Sequence, residues 1–413
     1  MPERPPRAVA ATFWLYAGHL YTLFGIALSN LFAGLAVLAA PFAWRAKRRA
    51  AGSTPAPDPD LDGPRRLLLA ALAVYVLGLL VAVAASPQPA VSAGALSELF
   101  TLALVPVALL VAVGEERVRV VVDGMTAVGG LVAAMGLVQL LGGFGGIDRR
   151  IRGPFSHWMT FSGFLLLCGM LLAGVLLFGA HRRRGGWRSP RLWWRLAALA
   201  AILAAILGSL TRGAWLGLAA GIVFLVALRA PRWLAALPVA AVVFFLLAPL
   251  PIVARATSTV DPLNPSNYDR LAMADAGLRM VAERPLVGIG PELVEERYPI
   301  YRHPSGYRLW VPHLHNSFLQ VAAERGLPSL AALLALMVAS FTAAWRLYRR
   351  EGRKRGPRAD LWMGALGALV AFNVAGLFEH NWGDTEVQRL ALFVVVMPFL
   401  LGGGWRWGDG EGI

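Results

Sequence analysis

The feature that most constrains this chain is a succession of long apolar stretches, at roughly 11–25, 28–44, 66–86, 94–113, 118–141, 157–180, 193–209, 213–229, 232–250, 325–346, 361–379 and 387–402. Stretches of this length match the hydrocarbon thickness of a bilayer, where every backbone N–H and C=O must find a partner within its own segment or a closed sheet. They therefore predict an all-α, polytopic transmembrane protein of about twelve helices, with a long, partly helical loop after the ninth. Residues 11–44 could alternatively form one long tilted helix, which would change the count by one. Composition agrees: 57% of residues are hydrophobic, 15% are charged, and mean hydropathy is +0.59. The expected organisation is 1–250 for helices one to nine, 251–324 for the loop, and 325–413 for the last three helices and a tail.

Charge sets the orientation. The net charge of +15 comes from short basic runs between the apolar spans, among them Arg45 to Arg49, Arg182 to Arg184 and Arg349 to Arg355, rather than from one basic face. Such runs suit anionic headgroups at the cytoplasmic surface and argue against a nucleic-acid partner. With a cytoplasmic amino terminus, the loops at 45–65, 114–117, 181–192, 230–231 and 347–360 hold most of these clusters. The opposite face then receives 87–93, 142–156, 210–212, a long segment from 251 to about 324, and 380–386. Within 251–312, seven arginines are balanced by seven acids and there is no lysine, the weaker positive bias expected of a translocated loop.

No cleavable signal peptide is expected, because the first apolar stretch is too long and lacks a processing site. The lone Cys168 lies within an apolar run and cannot form an intrachain disulfide. A Pro/Asp-rich linker runs from 52 to 64. In the long loop, Tyr268 to Glu283 has helical periodicity with Leu271, Ala274, Leu278 and Val281 on one side, which predicts a small helical cap with its apolar face down rather than a separate domain.

The residues able to do chemistry gather on the non-cytoplasmic side. His315, in Trp310-Val-Pro-His-Leu-His-Asn-Ser-Phe-Leu319, can take a proton from a hydroxyl near neutrality; an interfacial imidazole satisfied by Asn316 is the structural alternative. His313 could share or displace that role. Arg212 lies between two apolar spans with almost no loop around it, so it needs an anionic partner or must reach the interface. Arg149, Arg150, Arg152 and Arg270 fall on the same face. Converging guanidiniums not each matched by an acid suit a diphosphate, although any one of them could equally bind a headgroup. Phe378-Glu-His-Asn-Trp-Gly-Asp-Thr-Glu386 adds Glu379, His380, Asp384 and Glu386, to orient a base, pair with an arginine, hydrogen-bond a sugar or cap a loop.

The histidines lack zinc-protease spacing, there is no D-x-D sequence of the kind expected to hold a nucleotide-sugar's metal outside the Pro/Asp-rich linker, and there is no P-loop or G-x-G-x-x-G sequence. No metal site, nucleotide or soluble cofactor is expected. Apart from Glu98 and Asp123, few acids fall inside the spans, which weighs against a transporter with a charged through-path.

The chain resembles the O-antigen ligase and polymerase superfamily of bacterial envelope proteins, with a layout closest to the ligases. The resemblance rests on His315-Asn-Ser-Phe-Leu319 followed by Gly326, on Thr211-Arg212-Gly-Ala-Trp215, and on Arg270 followed by Glu283-Arg-Pro-Leu-Val-Gly-Ile-Gly290, in order across roughly residues 140–390. It implies transfer of a glycan from an undecaprenyl-diphosphate carrier on the periplasmic face of the bacterial inner membrane, without metal and with inversion. A ligase would use lipid A-core as acceptor, a polymerase a second carrier-linked repeat, and related enzymes a protein hydroxyl. By the same resemblance His315 would be the activating base, and Arg212 and Arg270 would hold the diphosphate. Arg152, before Gly153-Pro-Phe155, matches another basic family position more loosely. His313, Glu379, His380 and Asp384 would contact substrate, and the protein would work as a monomer among membrane lipids.

Overall fold

A computed structural model describes residues 5–50, 58–179, 189–259, 261, 264–304, 306, 308–350 and 358–403. The linker through Ser53, the run Arg182 to Arg184, Pro262 and the run beyond Arg350 lie outside the described residues. Helices occupy all twelve expected spans: α1 (Arg7–Tyr21), α2 (Ile26–Arg49), α3 (Pro59–Ala84), α4 (Pro89–Val111), α5 (Glu115–Leu141), α6 (Trp158–Phe178), α7 (Pro190–Gly208), α8 (Arg212–Arg229), α9 (Pro231–Leu247), then, after the long loop, α13 (Ser317–Arg350), α14 (Ala359–Gly376) and α15 (Thr385–Leu401). The loop contributes α10 (Leu250–Thr257), α11 (Pro265–Glu283) and α12 (Val294–Tyr301). Among the described residues nine helices are long and apolar enough to cross a membrane, so the chain is a polytopic, multi-pass, all-α membrane protein. The exceptions are α1 with 15 residues, α9 with 17 and α15 with 17.

Residues 11–44 form two helices rather than one. The chain turns at Thr22 to Gly25, and α2 folds back on α1, with the Ser29 hydroxyl donating to His19 O at 2.9 Å and the Phe32 ring against Gly18. At the centre, α6 is enclosed along almost its whole length by α5, α7, α8, α14 and α15. That explains why its sequence is apolar all round rather than striped. Glu98 and Asp123, the two acids singled out within the apolar stretches, are both ion-paired, Glu98 with Arg325 at 2.6 Å and Asp123 with Arg195 at 2.5 Å.

The helix ends separate into two faces. On one, Arg350 pairs with Asp58 and Asp60, Arg65 and Arg358 donate to the carbonyls of Gly402 and Leu401, and Arg119 grips Asp360. These guanidiniums satisfy orphan carbonyls at the end of α15 and favour its negative dipole end. The opposite face carries the starts of α6, α8, α13 and α15 together with the long loop.

The loop is tied down through a break in α13. Gly326 has φ +79°, and any Cβ there would stand 2.3 Å from Leu286 O, so only glycine fits. The break, with Pro328 lacking an N–H, frees carbonyls of the first segment. Ile289 N–H donates to Ala323 O at 2.8 Å, Gly290 N–H to Glu324 O at 3.2 Å, and Leu327 N–H turns to Pro285 O at 2.7 Å. A small second core of Met273, Ala276, Met280, Ile289, Tyr298 and Leu314 lies beneath the loop helices. Here the sequence expectation is corrected in part: Met273, Ala276 and Met280 of α11 are the inward residues and Val281 packs beside them, while Leu271 and Leu278 point outward, 67% and 62% exposed. Gly277, on the inward side, allows the close approach of Leu319 and Leu314, which a Cβ there would meet at 2.7 and 2.8 Å.

Candidate functional site

The site is built where α8 and α13 begin and α14 ends. Asn316 starts α13 by accepting the N–H groups of Phe318 and Leu319, both at 3.0 Å. The residue before it, His315, has φ +51°, a conformation that costs energy for a side chain other than glycine and is held by its surroundings. The Ser317 hydroxyl donates to Glu379 O at 3.0 Å and the Asn316 amide to Leu377 O at 3.2 Å, stitching the turn after α14 to this start.

Glu379 then bridges two predicted residues. Its Oε1 pairs with Arg270 Nη2 at 2.7 Å and its Oε2 lies 3.2 Å from His315 Nδ1. Burial alone would raise this carboxyl, but the His315 contact and the Arg270 charge hold it below the usual range. Gly213 makes room for it: a Cβ there would meet Glu379 Cγ at 2.7 Å, so the carboxylate can lie across the positive end of α8. The His313 ring is 4.4 Å from that of His315 and 5.7 Å from that of His380. Burial and neighbouring charges push His313 down to about 4 and His380 well below its ordinary value, so both are neutral near pH 7.

Arg212, the first residue of α8, is 2% exposed. Its Nη1 donates to Ser258 O at 2.9 Å and its Nη2 to the Ser266 hydroxyl at 3.0 Å, while Nε has no partner. Among the described residues no carboxylate lies within ion-pair distance of it. Two more arginines share its field. Arg255, on α10, donates to Leu210 O at 3.2 Å; Arg150 lies over the Trp158 ring at 4.9 Å and donates to Ile147 O at 3.0 Å. Burial, then repulsion from Arg255 and Arg270 partly offset by Glu379, pushes Arg150 down to about 10; Arg255 is lowered by burial and by Arg270. Arg150, Arg212, Arg255 and Arg270 thus interact around Glu379, with Asp148 acting on Arg150 as well, so positive charge is in excess.

The structure therefore brings Arg212, Arg270, His315, His313, Glu379 and His380 together. Asp384 stands at the edge, accepting from the Thr160 hydroxyl at 3.0 Å and pushed up to about 7 mainly by burial. Arg152 is not drawn in: its guanidinium donates to Ser156 O at 2.8 Å from an exposed position. Arg150, two residues earlier, faces the cluster instead, because Gln139 fixes the backbone of Arg152 and Gly153 and turns the Arg152 side chain aside. Nothing in the sequence around Arg255 separated it from any arginine ending an apolar run. Among the described residues, no three His, Cys, Asp or Glu side chains come together as metal ligands.

Fold and site together define a polytopic membrane protein with a basic, histidine-bearing site among the helix ends of one face. Residues 197–334 match the family model described as O-antigen ligase, so a domain of that family is present over this segment. It contains Arg212, Arg255, Arg270, His313 and His315; Arg150, Glu379, His380 and Asp384 lie beyond it. No curated protein matches the chain.

Proposed function

We propose that the chain is an O-antigen ligase, transferring a glycan from undecaprenyl diphosphate to a hydroxyl of lipid A-core on the periplasmic face of the inner membrane. The observation that carries this reading is the Arg270–Glu379–His315 chain of contacts beside an Arg212 that has no carboxylate of its own. The acceptor hydroxyl attacks the anomeric carbon from the side opposite the diphosphate, so the new glycosidic bond forms as the old C–O bond breaks, with inversion. The bonding electrons leave with the carrier's diphosphate, whose charge the four arginines neutralise. The hydroxyl proton passes to His315 Nε2. With His315 Nδ1–H donated to Glu379, Nε2 presents its lone pair, and the carboxylate stabilises the imidazolium that forms. His313 and His380, neutral at pH 7, and Asp384 line the sugar side as hydrogen-bonding groups. Arg152 serves as an outer basic position, and neither a metal nor a soluble cofactor takes part.

The test uses purified protein with an undecaprenyl-diphosphate glycan and three acceptors supplied separately: lipid A-core, a second carrier-linked repeat, and an acceptor protein. Transfer to lipid A-core that survives a chelator is expected. His315→Ala should lose ~10²–10⁴-fold in rate with donor binding nearly intact, the signature of a missing base. Transfer only to the carrier-linked repeat or to protein would replace the ligase reading with a polymerase or protein glycosyltransferase, and full activity in His315→Ala would remove the base.

A further inference from the structure

The helix α11 is apolar on two sides. Asp269, Ala272, Met273, Ala276 and Met280 are buried against the loop core, while Leu271 and Leu278, seven residues apart and so on one face, are exposed along with the half-buried Ala274. Both ends are fixed at points where spans emerge. Ser266, in the first turn, is held by Arg212 at the start of α8; Pro285, just past the last, accepts from Leu327 where the spanning part of α13 begins. A 19-residue helix is ~28 Å long. Tied at both ends to the level where spans begin, it must run along the bilayer surface rather than stand away from it.

The outward row also continues into a lipid-facing one. Leu286 is 71% exposed, beside Leu327. Leu327, Leu334 and Val338 form the exposed stripe of α13, with the spacing of one helical face. At the edge of the α11 row, Arg279 pairs with Asp275 at 2.9 Å, and Arg284 follows the helix. Apolar residues continuous with a lipid-facing stripe and bordered by charged side chains, here the Asp275–Arg279 pair and Arg284, are the pattern of a helix lying in the headgroup region.

We infer that α11 is an interfacial helix whose Leu271, Ala274 and Leu278 face rests in the phospholipids of the bilayer leaflet on the site side, with glycerol and upper acyl chains against the leucines and phosphates near Arg279 and Arg284. Arg270, next to Leu271, is thereby held at headgroup depth, the depth at which a membrane-anchored phosphate lies.

The experiment places nitroxide labels at Leu271→Cys, Ala274→Cys and Leu278→Cys of the full chain in liposomes of phosphatidylethanolamine and phosphatidylglycerol. Collision with oxygen, which partitions into lipid, is compared with collision with a water-soluble nickel chelate. Leu334→Cys is the lipid reference and the exposed Glu295→Cys the water reference; Cys168 is fully buried and leaves little background. Ala274→Cys repeats the measurement with the smallest change of side chain. The three α11 labels should favour oxygen over nickel, as Leu334→Cys does. Nickel collision equal to that at Glu295→Cys would overturn the inference. So would low access to both reagents with dipolar broadening that disappears on dilution with unlabelled protein, which would mean that a second copy covers the face.

Discussion

Arg212 illustrates how much a single side chain does in a nearly dry setting. Its two terminal nitrogens already hold the backbone of Ser258 and the hydroxyl of Ser266, so the guanidinium fixes where the long loop leaves the membrane while keeping its charge near Arg270 and Arg255. An ammonium cannot make that fork. Arg212→Lys should therefore weaken donor binding and transfer together, by roughly tenfold or more, since a charge-assisted hydrogen bond contributes about 1.5–3 kcal/mol. Titrating donor affinity and transfer rate in the two proteins checks this, and equal values would show that charge alone suffices. Glu379 is the complementary case: one buried carboxylate whose two oxygens are divided between an arginine on α11 and the imidazole of His315. Neither partner is near it in sequence, so its acidic character was visible in the chain and its bridging position was not.

At the scale of elements, the break in α13 joins the loop to the bundle. Because Gly326 turns the helix, Ala323 and Glu324 offer their carbonyls to Ile289 and Gly290, and the Gly288-Ile-Gly290 turn packs against α13. Gly326→Ala should clash with Leu286 O and strain a left-handed backbone position, a cost on the order of 1–3 kcal/mol. Hydrogen–deuterium exchange should show the Ile289 and Gly290 amides exchanging faster while those in the middle of α6 stay protected; unchanged exchange at 289 and 290 would show that the latch is not needed. The periodicity of α11 was legible as a helix, but its orientation was not. Apolar residues occupy two faces, and the loop core took the side with the small residues and methionines.

For the whole molecule, the two faces make topology the decisive measurement. With the basic face inside, Glu295→Cys should react with an impermeant thiol reagent added to intact cells stripped of their outer membrane, and Asp60→Cys should react only after the inner membrane is opened. The reversed pattern would place the site in the cytoplasm and end the proposed reaction. The apolar stretches are helical, nine of the described helices being long and apolar enough to cross a membrane, because in hydrocarbon the backbone can satisfy itself in few other ways, and hydropathy is summed over local residues.

Hydropathy, basic runs and the short motifs around Arg212 and His315 are local properties, and an all-α, multi-pass membrane chain and most of the residues that meet at one end of its helices could be read from them. Tertiary structure decided which of those residues touch. It joined Glu379 to His315 across 64 positions, drew Arg150 and Arg255 into the arginine group, and left Arg152 outside. It also turned Leu271 and Leu278 away from the protein. The physical reason is common to all of these. A side chain's partner is set by how helices cross and how loops close, and those depend on packing between segments far apart in the chain, whereas the free energy of placing a segment in lipid depends on the segment alone.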